Sequence, residues 1–298
     1  MRLRFGIAVA VCLCVGSTAF SQVVRFETTV GDFDMVLNPT NNPVLQEHVD
    51  NMLAYVENGN YKSSWINRAP DGFVLQMGGF FSNTKRPPLT NDSVRSVFSF
   101  GPIEGAPAVG TGLSNTVGTV SLALSGLPSG GTNQDSGSSS FFINIGSNTF
   151  LDPDFTVFAA IPDMTVVNEI MALTKTDLSD ESREPPFGVD PGDLAFSDVP
   201  LTAEGFQVFI KRAFVISDTL ETARANAGIQ SILAQSASAF GDGSVIGSLI
   251  DDRASSASVL DSGNESAGVL SSGAVPEPAS IVMLFTAAIV FVARRGAR

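Results

Sequence analysis

A chain of 298 residues has room for one large domain with flanking segments or for two small ones, and 44% hydrophobic residues, including 22 Phe, supply a core. A formal net charge of −13 argues against a nucleic-acid partner, because phosphate binding needs clustered Lys and Arg. Cys12 and Cys14 stand in a C-x-C spacing near the N-terminus and His48 is the single histidine, which leaves no zinc cluster, no redox C-x-x-C pair and no His-based catalytic triad.

In chain order, Arg2 and Arg4, the apolar stretch Phe5 to Val15 and the small residues Ala19 and Ser21 before Gln22 predict a cleaved secretory leader over residues 1–21. The apolar stretch is short for a membrane span. A folded region follows over residues 22–217. Val24, Phe26 and Thr28 alternate, as do Phe33, Met35 and Leu37, with Gly31-Asp32 between them, which predicts a β-hairpin. Leu45, Val49, Met52, Leu53 and Val56 recur at helical spacing between Pro43 and Gly59. Strands are expected over 72–77, 118–124, 140–145, 155–161 and 206–216, and a second helix over 163–173. Many strands, few helices and long loops predict a mainly β protein closed into an antiparallel barrel, which removes exposed edges.

From 218 to 274 the chain is rich in Ser, Ala, Gly and Asp and reads as a flexible linker with room for one weak helix from Leu220 to Gln235. The final segment, 275–298, combines Pro276-Glu277-Pro278, an apolar run from Ile281 to Ala293 and Arg294-Arg295. An apolar stretch with a basic end reads as a short membrane stop. The combination resembles the PEP-CTERM sorting signal of certain bacteria. That resemblance implies a membrane sorting and processing enzyme as a partner of the tail and an exported location in the periplasm, outer envelope or extracellular matrix. The other reading is a plain C-terminal anchor.

The stretch from Trp65 to Gly79 carries the chemistry. Regular alternation would set Phe73, Leu75 and Met77 on one face of a strand and Val74 and Gln76 on the other. A bulge or bend would bring Phe73 and Gln76 to one pocket, and the residues themselves leave both open. Arg68, Gly72, Phe73, Gln76 and Gly78 keep the pattern of the cyclophilins. Thr28 to Phe33, Val49 to Met52, Asn58 to Tyr61, Gly118 to Ala123, Ser139 to Ile143, Phe150 to Asp152, Phe155 to Phe158 and Asp198 to Leu201 continue that resemblance in order.

The resemblance to the cyclophilin-type peptidyl-prolyl cis/trans isomerases implies an eight-stranded antiparallel barrel capped by two helices. Its groove would hold the residue before proline and the proline ring of a polypeptide. The resemblance makes Arg68 the catalytic arginine and assigns Phe73, Val74, Phe142 and Leu151 to the proline pocket. It has Gln76 position the peptide backbone and lays Ala123 and Leu124 along the groove. Four candidate groove positions depart from the family pattern, among them Leu124, which replaces a polar groove residue that is often Asn or Arg. Ser140 replaces a Gln, Phe150 stands where well-known eukaryotic members have Trp, and Phe155 stands where many members have His. Asn67 also replaces the His before the arginine. No cofactor or metal is implied, and the chain is expected to act as a monomer. Two further readings stay open: a non-catalytic module that binds proline-containing peptides, and a structural component of an extracellular matrix.

Overall fold

The computed structural model describes residues 21–87, 94–105, 111–127, 131–178 and 194–239. The expected first hairpin is formed by β1 (Val23–Thr28) and β2 (Asp32–Leu37), with Phe26 opposite Phe33. Thr28 closes its turn: the hydroxyl donates to the Gly31 carbonyl at 2.6 Å and accepts from the amides of Val30 and Gly31, a local substitute for backbone pairing. Helix α1 (Gln46–Glu57) buries Val49, Met52, Tyr55 and Val56, the stripe its spacing demanded.

The next strands are β3 (Ser64–Arg68), β4 (Val74–Ser82), β5 (Val94–Ser96), β6 (Thr119–Leu122), β7 (Ser125–Gly126), β8 (Thr132–Asn133), β9 (Phe141–Asn144) and β10 (Val157–Ala160). Helix α2 (Thr165–Met171) precedes β11 (Thr174–Thr176), β12 (Val199–Leu201) and β13 (Ile210–Val215). The main sheet runs β13-β1-β2-β10-β6-β9-β4-β3, with β5 added beside β4. Its two ends meet. The Ile66 amide donates to the Val208 carbonyl at 3.0 Å, the Ser63 amide to the Ile210 carbonyl at 2.8 Å, and Trp65 bridges Phe209. The result is the nearly closed eight-stranded antiparallel barrel that strand count and edge protection predicted.

The abundance of Phe has its use inside that barrel. Phe26 stacks on Phe33 at 5.3 Å and meets Phe141 at 5.4 Å, and Tyr61 sits edge-on to Phe141 at 5.8 Å. Helices α1 and α2 both pack against this core, α2 through Val167 and Ile170.

His48 is on α1, 2% exposed, its ring 5.9 Å from Phe158. Burial lowers its pKa from 6.5 to about 4, so the folded form keeps it neutral while the unfolded chain takes up a proton. Between those values the unfolded state binds more protons, so stability rises with pH and is lost as pH falls from 6.5 towards 4. The shift corresponds to ~3 kcal/mol. Denaturant unfolding of His48→Leu at pH 7 and pH 4.5 should show that slope largely removed. An unchanged slope would refute the assignment.

The segment read as a linker from 218 departs from that expectation. Helices α3 (Thr219–Gly228) and α4 (Gln230–Ala239) occupy its first part. Asp218 caps α3, its carboxylate accepting from the amides of Leu220 and Glu221 at 2.8 and 2.9 Å. Ala225 and Ile229 are buried against Val23, Val36, Ala160 and Ile216, with Ile232 and Leu233 packed beside them. The apolar stripe Ala225, Ile229, Ile232 and Leu233 has helical spacing, but it crosses the junction of two helices and is set among Ser, Ala and Gly, so it reads weakly in the sequence. The folded domain therefore extends past 217 to at least Ala239. The rest of the expected linker, the PEP-CTERM-like tail and residues 1–20 of the expected leader lie outside the described residues. Among the described residues no helix is long and apolar enough to cross a membrane.

Candidate active site

Four strands bring the candidate residues into one row. Arg68 on β3 lies opposite Gln76 on β4, Gln76 opposite Phe142 on β9, and Phe142 opposite Ser121 on β6. Directly opposed residues share a face. The alternate pairs, Leu75 with Ile143 and Met77 with Phe141, belong to the aromatic core. A local irregularity places Arg68 on the row. Ile66 pairs with Met77, so regular pairing would set Arg68 opposite Leu75 and aim it at the core; the shift between Ile66 and Arg68 sets it opposite Gln76 instead.

Phe73 escapes the alternation question because β4 begins at Val74 and Phe73 lies in the turn before it. Its ring lies 5.7 Å from the Arg68 guanidinium carbon and stacks with Phe150 at 6.0 Å. The bend left open by the sequence thus puts Arg68, Phe73 and Gln76 at one end of the row. Arg68 is 5% exposed and Gln76 7%, so charge on the guanidinium acts through a medium of low polarisability. Phe142 meets Phe155 edge-on at 5.6 Å. Leu151 ends a short 3-10 turn (Thr149–Leu151), and the Phe155 amide donates to its carbonyl at 2.9 Å. Phe142, Leu151 and Phe155 are buried, as is Val74, while Phe150 is 53% exposed at the rim.

The remaining candidates divide. Ser140 accepts from Gln76 Nε2 at 3.5 Å and donates to the Met77 carbonyl at 3.4 Å, both long, and its own carbonyl accepts from the Ala123 amide at 2.9 Å. Leu124 lines a small separate cavity with His48, Leu122, Gln134 and Thr156. Asn67 faces away from the row and donates to the Ala195 carbonyl at 2.9 Å. Among the described residues no group of three or more His, Cys, Asp or Glu is placed to hold a metal ion.

A buried polar network beside the row was missed in the sequence. Asn115 Oδ1 accepts from Ser121 Oγ at 2.8 Å and from Asn144 Nδ2 at 3.1 Å, and its Nδ2 donates to Asp152 Oδ1 at 2.9 Å and to the Phe155 carbonyl at 3.2 Å. Asn148 Nδ2 continues the chain, donating to Asn144 Oδ1 at 2.8 Å and to the Phe73 carbonyl at 2.9 Å. On the other side Gln134 Nε2 donates to the Pro153 carbonyl at 3.0 Å. The backbone carrying Phe73, Leu151 and Phe155 is therefore fixed by side chains. The one available signal was Asn144 ending the apolar run Phe141-Phe142-Ile143, since a polar residue in such a strand needs a partner.

Residues 23–187 match the family model described as cyclophilin type peptidyl-prolyl cis-trans isomerase/CLD, more than half of the chain. The chain belongs to the cyclophilin family. It is 31% identical over 158 residues to a peptidyl-prolyl cis-trans isomerase A of Dickeya dadantii, covering 49% of this chain and 70% of that protein. It is 30% identical over 157 residues to peptidyl-prolyl cis-trans isomerase B of Escherichia coli, covering 50% of this chain and 83% of that protein. A crystal structure of a Cryptosporidium parvum cyclophilin type peptidyl-prolyl cis-trans isomerase aligns with TM-score 0.42 and 22% identity, over 67% of this chain and 99% of that one. In this cyclophilin the family match ends before β12, so β13, which closes the barrel, and the helices α3 and α4 lie outside it.

Proposed function

We propose that this cyclophilin accelerates cis/trans exchange of X-Pro bonds in polypeptides, with Arg68 as the catalytic residue. The observation that carries the reading is the strand irregularity that turns Arg68 out of the core and sets it against Phe73 in the row with Gln76. Rotation about the X-Pro bond breaks amide resonance against a barrier of about 20 kcal/mol. In the twisted state the proline nitrogen becomes pyramidal and regains a lone pair. The Arg68 guanidinium donates a hydrogen bond to that nitrogen, an interaction absent in the planar ground state, and so lowers the barrier by differential binding. Phe73, Phe142, Leu151 and Phe155 supply an apolar seat for the ring while the carbonyl side turns. Gln76 holds the peptide backbone. The step needs no nucleophile and no proton transfer.

The expected leader and the PEP-CTERM-like tail support exported polypeptides as the clients and a membrane processing enzyme as a partner of the tail. The mass of the mature protein tests both cleavages. A second reading, a module that binds proline peptides without turnover, is favoured by the long contacts of Ser140, from Gln76 at 3.5 Å and to the Met77 carbonyl at 3.4 Å, which leave the backbone-holding part of the groove loosely tied. Isomerisation of an Ala-Pro peptide by the full chain separates the two. Exchange well above the uncatalysed rate supports the enzyme; binding without acceleration overturns it in favour of the module.

A further inference from the structure

The helical pair α3–α4 lies beyond the residues matched to the family, and it reaches the loop that carries the proline pocket. Ser236 on α4 is fully buried. A buried hydroxyl in a helix that could carry Ala there is costly unless it is bonded, and a helical serine ordinarily turns back to its own preceding turn. Ser236 instead reaches a residue 122 positions away: Oγ accepts from the Ser114 amide at 2.7 Å and donates to the Ser114 carbonyl at 2.9 Å. Ser114 Oγ in turn donates to Asp152 Oδ2, and the Asn115 amide donates to Asp152 Oδ1 at 2.7 Å. Asp152 directly follows Leu151, and Asn115 holds the Phe155 carbonyl. The helices are anchored independently by Ala225 and Ile229 in their apolar cluster, by Arg25 facing Glu221 at 3.7 Å, and by Asn226 donating to the Ser21 carbonyl at 3.1 Å.

We infer that α3–α4 is a clamp on the proline-pocket loop and that Ser236 is a positioning residue, acting through Ser114 and Asp152 on Leu151 and Phe155. The inference deepens the isomerase reading and rests on it for its kinetic part. Substrate binding depends on where Leu151 and Phe155 stand, whereas the guanidinium of Arg68 is set by β3 and β4. Loosening the clamp therefore weakens substrate binding more than it slows the bound complex.

The test compares the full chain with Ser236→Ala and Ile229→Ala at a temperature where all three are folded. Ala is the better helix former, so α4 persists in the first variant. Ser236→Ala is expected to raise KM for an Ala-Pro peptide about five-fold with kcat within about two-fold, the signature of lost binding that is uniform between ground and transition states. Amide hydrogen exchange over 149–155 is expected to speed up about tenfold, with β4 and β9 unchanged. Ile229→Ala, which leaves the hydroxyl in place, is expected to lower the melting temperature but to leave KM and exchange at 149–155 unaltered. Unchanged exchange at 149–155 in Ser236→Ala overturns the clamp, and an equal KM shift in Ile229→Ala overturns Ser236 as its positioning residue. A full chain without isomerase activity overturns the isomerase reading alone, because exchange and the affinity for a proline peptide still decide whether Ser236 holds the loop.

Discussion

Replacing Arg68 by Ala is expected to lower kcat/KM for an Ala-Pro peptide by about 10²–10³-fold while the barrel still folds. Removing one preorganised donor aimed at a site of developing charge costs roughly that much in other enzymes. Arg68 meets the conditions under which such a donor is effective: it is 5% exposed, and the Phe73 ring 5.7 Å away restrains the guanidinium through its negative face. Arg68→Lys keeps the charge but replaces a planar fork by a mobile point donor, so it is expected to recover no more than about tenfold of the loss. Exchange rates measured by line shape or magnetisation transfer on the peptide, with circular dichroism as the check on folding, decide the matter. Retention of more than about a tenth of the activity in Arg68→Ala would remove Arg68 from the chemistry and leave the apolar seat as the main contributor.

The second large effect is on stability. Asn115→Leu is close to isosteric, yet it is expected to reduce the free energy of unfolding by about 4 kcal/mol. Asn115 is fully buried and serves four groups at once, Ser121 Oγ, Asn144 Nδ2, Asp152 Oδ1 and the Phe155 carbonyl. Each buried polar group left without its partner costs about 1–3 kcal/mol, and relaxation of the loop recovers part of the sum. Activity should fall as well, because two of these bonds, to Asp152 and to the Phe155 carbonyl, hold Phe155 and the turn after Leu151. Urea unfolding followed by intrinsic fluorescence gives the number. A loss under about 1 kcal/mol would mean that the pocket loops are held by their apolar packing rather than by this network.

Much of this protein was legible from its residues alone. Alternation over 24–28 and 33–37 with Gly31-Asp32 between them specified the first hairpin, and the stripe from Val49 to Val56 specified α1, because in both cases a two- or four-residue period sorts apolar from polar side chains locally. The motif around Arg68, Phe73 and Gln76 pointed to a cyclophilin groove through its resemblance to the family's pattern of residues and spacing. What the sequence did not determine depends on partners distant along the chain. Whether Arg68 faces the core or the groove turns on a one-residue shift against β4, which no local period records. The network centred on Asn115 joins residues from 114 to 155 that the pairing of β6 with β9 and β10 brings together. The helices over 219–239 looked like linker because their buried side chains are mostly Ala and Ser, whose burial is decided by the surface they meet: Val23, Val36 and Ala160 for one face, and the Ser114 backbone for Ser236. Local periodicity set the strands and helices, and long-range shape and hydrogen bonding set which side chains became a site.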